Sequence, residues 1–265
     1  QRFDKVRTAV HTSIMLAVIC GFALLVLGMV IARPILTFMD TPADVMEYAV
    51  LYLRIYFLGT PFIMLYNFGA AVLRSVGDTR RPLICLILAG VINTILNLVL
   101  VIVFHLGVAG VAIGTVMSNV VSSGMVMYFL MHEEGPLRFS VKECRIAKLH
   151  LLRIMRVGLP AGLQSMVFSL SNVFIQTALN GFGSDAVAGS AVALNYEYFT
   201  YFVIAAFNQT TVTFTSQNFG ARRYDRCRQI FRLSMISAFL CSGLLGLLFA
   251  SDKLFFASLF TSEAA

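Results

Sequence analysis

A row of side-chain amides lies in the apolar stretch 157–180, and its members are Gln164, Asn172, Gln176 and Asn180. They are separated by multiples of four residues, with Phe168 in the one gap, so they share one face of a helix. An amide both donates and accepts hydrogen bonds, and such a face predicts the wall of a water-filled cavity that binds varied small molecules. The alternative is packing, in which the amides hydrogen-bond neighbouring helices together with Ser165, Ser169 and Ser171.

A second amide pair, Asn93 and Asn97, is also spaced by four residues within an apolar stretch. Polar side chains inside a membrane span are costly and are functional candidates by default. The side-chain carbonyl oxygens could coordinate a sodium ion, whereas an amide has no proton to exchange near neutral pH. The pair is therefore a candidate cation site.

Glu197 is the one carboxylate that lies well within an apolar stretch, and Tyr196 and Tyr198 flank it. A lone carboxylate in a low-dielectric setting takes up and releases a proton near neutral pH, and with aromatic rings beside it attracts an organic cation. The alternative is a carboxylate at the outer end of its helix, solvated or paired with Arg54. Further along the same stretch, Asn208 begins a polar run that predicts an inner vestibule.

The chain has the composition of a membrane protein, and this predicts the helices that position these residues. Hydrophobic residues make up 58% of the chain and charged residues 12%, with a mean hydropathy of +0.84. Seven apolar stretches each have the roughly 20 residues that cross a bilayer, and they are 10–32, 46–72, 83–104, 108–131, 157–180, 187–214 and 230–250. Backbone groups in lipid must be paired within the segment, so we expect an all-α integral membrane protein with about seven transmembrane helices. Pro61, with Gly59 before it, predicts a kink inside its span.

Lysine and arginine are concentrated in alternate connections between these stretches. The connections on one side carry three, three, six and five of them, and those on the other side carry one, none, none and one. Because cytosolic loops carry the excess, the N-terminal end is predicted in the cytosol and the C-terminal end outside. The net charge of +7 then reflects topology, and no nucleic-acid partner is expected. The orientation also argues against a seven-helix receptor, whose N-terminal end lies outside.

Residues 2–7 return, class for class, as residues 223–228, a shift of 221 positions. An even number of predicted spans separates the copies, so the two halves share one orientation, as in transporters built from parallel six-helix repeats. A period of this length predicts a twelve-helix, two-lobe parent. We accordingly assign residues 1–131 to helices 3–6 of the N-terminal lobe, 132–156 to a cytosolic inter-lobe linker and 157–265 to helices 1–3 of the C-terminal lobe.

Three sequence strings carry a family likeness, and they are Leu73–Pro82 (LRSVGDTRRP), Gly158–Gly162 (GLPAG) and Ser216–Ala221 (SQNFGA). Together, in this order, they resemble the multidrug and toxic compound extrusion (MATE) family. The resemblance implies twelve helices in two lobes and the export of organic cations and drugs in exchange for sodium ions or protons. It also implies that the chain lacks helices one and two and the last three helices.

The sequence departs from the family at its expected ion sites. In relatives, the position of Asn97 is often an aspartate that binds the coupling cation, and here it is an amide. Many relatives also carry a glutamate in the first helix of the second lobe, where this chain has Gln164 and Phe168 and no acid. Both departures place the ion coupling in question.

We therefore expect an ion-coupled antiporter of the plasma (cytoplasmic) membrane that exports organic cations, drugs or other small toxic compounds by alternating access. The predicted substrate site is Gln164, Asn172, Gln176, Tyr196, Glu197, Tyr198 and Asn208, and the predicted cation site is Asn93, Asn97 and Glu197. The coupling ion is sodium or a proton. No cofactor or metal is expected, and the protein is expected to act as a monomer.

Two other function classes are weighed against this one. The sequence contains no GxxxxGK[ST] loop and no Ser-His-Asp or Cys-His constellation, so it offers no candidate for ATP-driven or enzyme chemistry. A flippase for lipid-linked oligosaccharides or cell-wall precursors shares a similar helical layout. Such a flippase would be expected to hold diphosphate with several arginines, and only Arg54 lies well within a predicted span.

Overall fold

The computed structural model describes residues 2–38, 43–180 and 184–251, and every regular element among them is helical. Eight α-helices follow one another: α1 Arg2–Phe38, α2 Ala43–Leu58, α3 Thr60–Ser75, α4 Arg80–Leu98, α5 Gly107–His132, α6 Lys148–Asn180, α7 Ser184–Gly220 and α8 Tyr224–Ser251. A π-helical turn, Val99–Val103, continues α4. Two short 3₁₀ turns, Gly135–Leu137 and Val141–Glu143, lie between α5 and α6. The predicted all-α membrane fold is confirmed.

The helices cover all seven predicted stretches. Within the described ranges, α1, α4 with its π-helical turn, α5 and α8 are each long and apolar enough to cross a membrane, and so is the bent pair formed by α2 and α3. The two remaining stretches lie in α6 and α7, which have 33 and 37 residues. These two helices carry the row of amides and the polar run at Asn208, which interrupt their apolar sequence.

The predicted kink is a break between α2 and α3. The two helices meet at 41°, with Gly59 between them and Pro61 in the first turn of α3. Thr60 is 7% exposed, and its hydroxyl donates to the carbonyl oxygen of Phe57 at 2.8 Å and lies 3.2 Å from that of Gly21 in α1. A Cβ at Gly21 would be only 2.5 Å from the Cα of Pro61, so α1 crosses the break at backbone distance.

The chain divides into two compact units, Gln1–Arg156 and Val157–Ala265. In the first unit, the most tightly packed core lies at the end that the charge pattern places in the cytosol. It consists of Ile14, Leu73, Cys85, Val126, Leu130 and Phe139, from α1, α3, α4, α5 and the connection after α5. The linker between the predicted lobes thus contributes a core residue to the first unit.

In the second unit, α7 packs against α8, and the ring of Tyr196 lies 4.8 Å from that of Phe249 between centroids. Helix α8 begins within the second copy of the repeated segment, residues 223–228, as α1 begins with the first copy, residues 2–7. Asp4 and Asp225 occupy the first turn of their helices, where a negative charge is favoured by the helix dipole. The sequence repeat is therefore also a repeat of helix starts.

Candidate functional site

A chain of hydrogen bonds joins the predicted cation-site amides to the neighbouring helix. The Asn97 amide nitrogen donates to the Asn93 side-chain oxygen at 3.2 Å. The Asn93 amide nitrogen donates to the Thr115 hydroxyl of α5 at 3.4 Å, and that hydroxyl donates to the Val111 carbonyl oxygen at 3.0 Å. The two asparagines thus face α5 as one cluster, and Thr115 is a member that sequence spacing missed.

The side-chain oxygen of Asn97 is the unusual atom of this cluster. It is buried, and it has no hydrogen-bond partner among the described residues. A Cβ at Gly114 would collide with it, so the absence of a side chain at Gly114 creates the space that the oxygen occupies. A buried acceptor without a partner costs free energy, on the order of 1–3 kcal/mol. Such an atom calls for a donor or a cation.

The helix carrying the pair changes its winding directly after Asn97. Val99–Val103 form a π-helical turn, and Phe104 donates its backbone N–H to the Val99 carbonyl oxygen at 3.1 Å. A Cβ at Gly110 would lie 3.2 Å from Leu100, so α5 also meets this turn at backbone distance. Single π-helical turns are frequent at functional sites.

The cluster offers neutral oxygens only. Asn97, Asn93 and Thr115 provide two amide oxygens and a hydroxyl, and no carboxylate is part of the network. Neutral carbonyl oxygens coordinate sodium in transporters, and an amide neither gains nor loses a proton near neutral pH. The arrangement can therefore hold a monovalent cation, but it cannot exchange a proton for one.

The α6 amides are open to their surroundings. Gln164 and Asn172 are exposed, and neither makes a side-chain hydrogen bond to another described residue. The side chain of Gln176 lies outside the described part of the structure. Ser165, Ser169 and Ser171 each donate to a carbonyl oxygen one turn earlier in α6. The hydroxyls are thus satisfied within the helix, while the amides keep their hydrogen-bonding capacity.

The α7 candidates also lie on exposed positions. Glu197, Tyr198 and Asn208 are exposed, and the Tyr198 ring stacks near Phe202 with centroids 6.5 Å apart. Tyr196 is half-buried through its contact with Phe249 in α8. These placements leave Glu197 and Asn208 accessible. The alternative pairing of Glu197 with Arg54 joins residues of the two units and stays a prediction.

A network at the end that the charge pattern places in the cytosol was not found from the sequence. His11, 1% exposed, bonds to the backbone of Ser140, and its ring stacks on Phe139. Arg7 pairs with Glu143 at 2.7 Å. A histidine in a basic segment and a phenylalanine in a polar linker follow no periodic pattern, so spacing gave no signal for their contact.

Metal chemistry has no candidate within the described ranges, where no group of three or more His, Cys, Asp or Glu side chains is placed to hold an ion. The five cysteines are all free thiols.

Comparison with known proteins identifies the family. The MatE family model matches residues 1–99 and 160–265, on either side of α5 and the linker. The probable multidrug resistance protein YoeA of Bacillus subtilis is 28% identical over 98% of this chain and 58% of its own length. The FAD transporter of Shewanella oneidensis is 25% identical over 87% of this chain and 52% of its own length. The chain thus spans little more than half the length of these curated relatives.

The fold agrees with a solved relative. The outward-facing structure of a multidrug resistance MATE family transporter of the MOP superfamily superposes with a TM-score of 0.86, covering 98% of this chain and 58% of that chain at 24% identity. The MatE match extends over well more than half of the sequence and over segments from both units. The chain is therefore part of a multi-pass membrane protein and belongs to the MatE family of transporters.

Proposed function

We propose that the protein containing this chain is an ion-coupled antiporter that exports organic cations, drugs or other small toxic compounds from the cell. The observation that carries the proposal is the MatE match to both units, together with a relative over nearly the whole chain whose name denotes multidrug resistance. Coupled export requires that ion and drug favour different conformations, because a ligand with equal affinity for both shifts nothing.

The Asn93–Asn97–Thr115 cluster is the proposed ion site of the first unit. Its free acceptor, the Asn97 side-chain oxygen, and its lack of a carboxylate favour sodium over a proton at this position. Glu197 is the proposed second participant, since it is an exposed carboxylate on α7 that can bind either a cation or a proton.

The proposed substrate contacts are the amides and tyrosines of the second unit. Gln164 and Asn172 keep free donors and acceptors, which suit substrates of varied shape. The remaining proposed contacts are Gln176, Tyr196, Glu197, Tyr198 and Asn208. A carboxylate beside aromatic rings favours a cationic substrate through charge and cation–π attraction.

A flippase or carrier for diphosphate compounds is the second candidate. The relative named as an FAD transporter favours it, because FAD contains a diphosphate. Diphosphate recognition would be expected to use clustered arginines. Arg54 is exposed on α2 as the arginine in the interior of a predicted span, and one such residue supports this candidate less well than the exporter.

The test is dye efflux from cells that express the full-length protein, with sodium and pH gradients varied separately. We expect the sodium gradient to drive efflux. Asn97→Leu, which removes the amide oxygen at similar volume, should abolish the sodium dependence. Asn97→Asp should retain it and add a dependence on pH, because a carboxylate titrates. Glu197→Ala and Gln164→Ala should each weaken efflux.

Thr94→Val is the matched control, because Thr94 lies on the exposed side of α4 and its hydroxyl bonds only to Gly90 of the same helix. Its efflux should equal that of the unsubstituted protein. Efflux that ignores the sodium gradient, or that survives Asn97→Leu unchanged, would exclude the asparagine cluster as the coupling site. Absence of efflux of any cationic dye would contradict the exporter proposal itself.

A further inference from the structure

The connection between α5 and α6, residues 133–147, is fastened to the first unit at several points. The backbone N–H of Phe139 donates to the Leu130 carbonyl oxygen at 2.9 Å, and that of Ala147 donates to the Thr12 hydroxyl at 3.2 Å. Arg7 binds Glu143 at 2.7 Å. Phe139 itself is 6% exposed and belongs to the core cluster. A segment with polar linker composition is thus packed as part of the bundle.

His11 is the centre of this attachment. Its Nδ1 lies 2.8 Å from the Arg7 carbonyl oxygen, and its Nε2 lies 3.1 Å from the backbone nitrogen of Ser140. A tautomer that donates from Nδ1 and accepts at Nε2 satisfies the contacts with the Arg7 carbonyl oxygen and the Ser140 N–H. The ring also stacks on Phe139, with centroids 5.0 Å apart and planes 28° apart. Its 1% exposure means that this face of α1 is closed by the linker.

We infer that His11 is a positioning residue that fixes residues 133–147 to the first bundle throughout the transport cycle. Residues 133–147 then move with that bundle, and the relative motion of the two lobes is taken up within α6, at its third and fourth turns. This inference rests on the proposed alternating-access function for the motion, and on the contacts above for the attachment.

The third and fourth turns of α6 are suited to such a joint. Gly158, Pro160 and Gly162 fall within five residues inside the helix. Proline removes one backbone hydrogen bond and glycine weakens a helix interior, so bending concentrates there. A Cβ at Gly158 or Gly162 would meet nothing within 4 Å among the described residues. The division between the two compact units, after Arg156, falls just before these residues.

Release of the linker would instead break many contacts together. It would break the hydrogen bond between the Ser140 N–H and His11 Nε2 and the stacking of His11 on Phe139. It would also separate the Arg7–Glu143 ion pair. Buried polar groups that lose their partners are costly, and the cost would recur in every cycle. A joint in α6 requires none of these losses.

The first test is limited trypsin digestion after Arg138, Lys142 and Arg145, whose side chains are exposed but whose backbone must detach from the bundle to enter the protease. Cleavage follows the population of the open form, and we expect His11→Ala to accelerate it by roughly tenfold or more. His11→Gln, whose amide oxygen can accept from Ser140, should restore part of the protection. Equal cleavage rates for His11→Ala and the unsubstituted protein would overturn the inference.

His132→Ala is the matched control. His132 also bonds to a carbonyl oxygen one turn back, that of Tyr128 at 2.9 Å, but its side chain is exposed. It should leave the trypsin pattern unchanged. Acceleration by both histidine variants would indicate general loosening of the fold and would also count against a specific role for His11.

The second test locks the linker. Thr12→Cys and Ala147→Cys are introduced into the full-length protein after its native cysteines have been replaced, and the pair is oxidised with diamide. We expect the disulfide to form and dye efflux to stay within about twofold of the reduced protein, because the locked contact does not need to open. A pair that does not form, or efflux that stops on oxidation and returns on reduction, would refute the inference.

The two tests separate this inference from the proposed function. Trypsin protection depends on the linker alone and can be measured without any substrate. If the unsubstituted full-length protein exports no dye, the proposed function fails, while the digestion of His11→Ala still decides whether His11 holds the linker.

Discussion

The side-chain oxygen of Asn97 in α4 lies directly against Gly114 of α5, in a space that no other residue type would leave open. The same oxygen is buried without a hydrogen-bond partner among the described residues. The close approach of α4 to α5 therefore occurs at the same place as the unpaired Asn97 oxygen. Substitutions on either helix should disturb both.

Gly114→Ala should destabilise the protein by about 1–3 kcal/mol, because the added methyl group overlaps the Asn97 amide and forces it from its rotamer. The measurement is thermal unfolding in detergent followed by circular dichroism. Gly124→Ala in the same helix is the control, since its Cβ would meet nothing within 4 Å. Equal midpoints for the two variants would contradict the packing described for Gly114.

Thr60→Val should reduce the free energy of unfolding by about 1 kcal/mol, because the buried hydroxyl bonds backbone carbonyls at the break between α2 and α3. Valine keeps the shape and removes the donor. The same unfolding assay applies, with Thr94→Val as the exposed control. A loss no greater than that of the control would mean that the hydroxyl does not stabilise the break.

The Arg81–Glu133 pair should show measurable coupling in a double-mutant cycle, on the order of 1 kcal/mol. Arg81 also pairs with Asp78 at 3.1 Å and lies 5.6 Å from the Phe129 ring centroid, so its side chain is held in place before the pair forms. The cycle uses Arg81→Met and Glu133→Gln, and unfolding by denaturant is measured for each variant.

The comparison is the Arg33–Glu47 pair, in which a guanidinium nitrogen lies 2.7 Å from a carboxylate oxygen. Its side chains are 58% and 71% exposed. Solvent screening and the loss of side-chain freedom should bring its coupling close to zero. Equal coupling for both pairs would show that neither the additional partners of Arg81 nor the lower exposure matters.

Cys144 should react slowly with N-ethylmaleimide in the native protein. Burial raises the pKa of its thiol above the ordinary value, so less thiolate is present at any given pH, and the curve of rate against pH moves to higher pH. Mass spectrometry of the native and the SDS-unfolded chain measures both curves. His11→Ala should bring the native curve towards the unfolded one, and coincidence of the two unsubstituted curves would disprove the effect of burial.

Much of the architecture was predictable because it depends on local chemistry. Long apolar runs in lipid must be helices, and Pro61 with Gly59 before it favours a kink, so the helical fold and a bend near Gly59 follow from residue types. The angle of 41° is known only from the structure. The Asn93–Asn97 contact follows in the same way from helical spacing, and the structure confirms it at 3.2 Å.

The partners across helices were not predictable. Spacing along α4 shows that Asn93 and Asn97 share a face, but it does not tell which helix meets that face, so Thr115 was missed. Gly110 and Gly114 have the GxxxG spacing that is typical of close helix packing, but the spacing does not identify the residues that approach them. The two positions contact Leu100 and Asn97, which only the packed structure reveals.

The predicted inter-lobe linker is rich in charged residues, and this composition gives no sign that the segment packs against the first unit. Phe139 is buried in the core cluster of the first unit, and its ring stacks on that of His11, which lies 128 positions earlier in the chain. A contact over such a separation leaves no trace in local periodicity. The substrate contacts on α6 and α7 stay predictions, because spacing and exposure do not identify what they bind.

The π-helical turn Val99–Val103 has a further consequence for the geometry of α4. The backbone hydrogen bond of a π-helical turn spans one residue more than that of an α-helical turn. In an α-helix, each residue turns the chain by about 100° around the helix axis. Deleting a single residue here would therefore rotate the preceding helix by roughly a quarter of a circle relative to the segment after it. Asn93 and Asn97 would swing away from Thr115, while Leu100 could no longer sit opposite Gly110. The additional residue of the π-helical turn thus determines which side of α4 faces α5, and the amide cluster depends on that orientation.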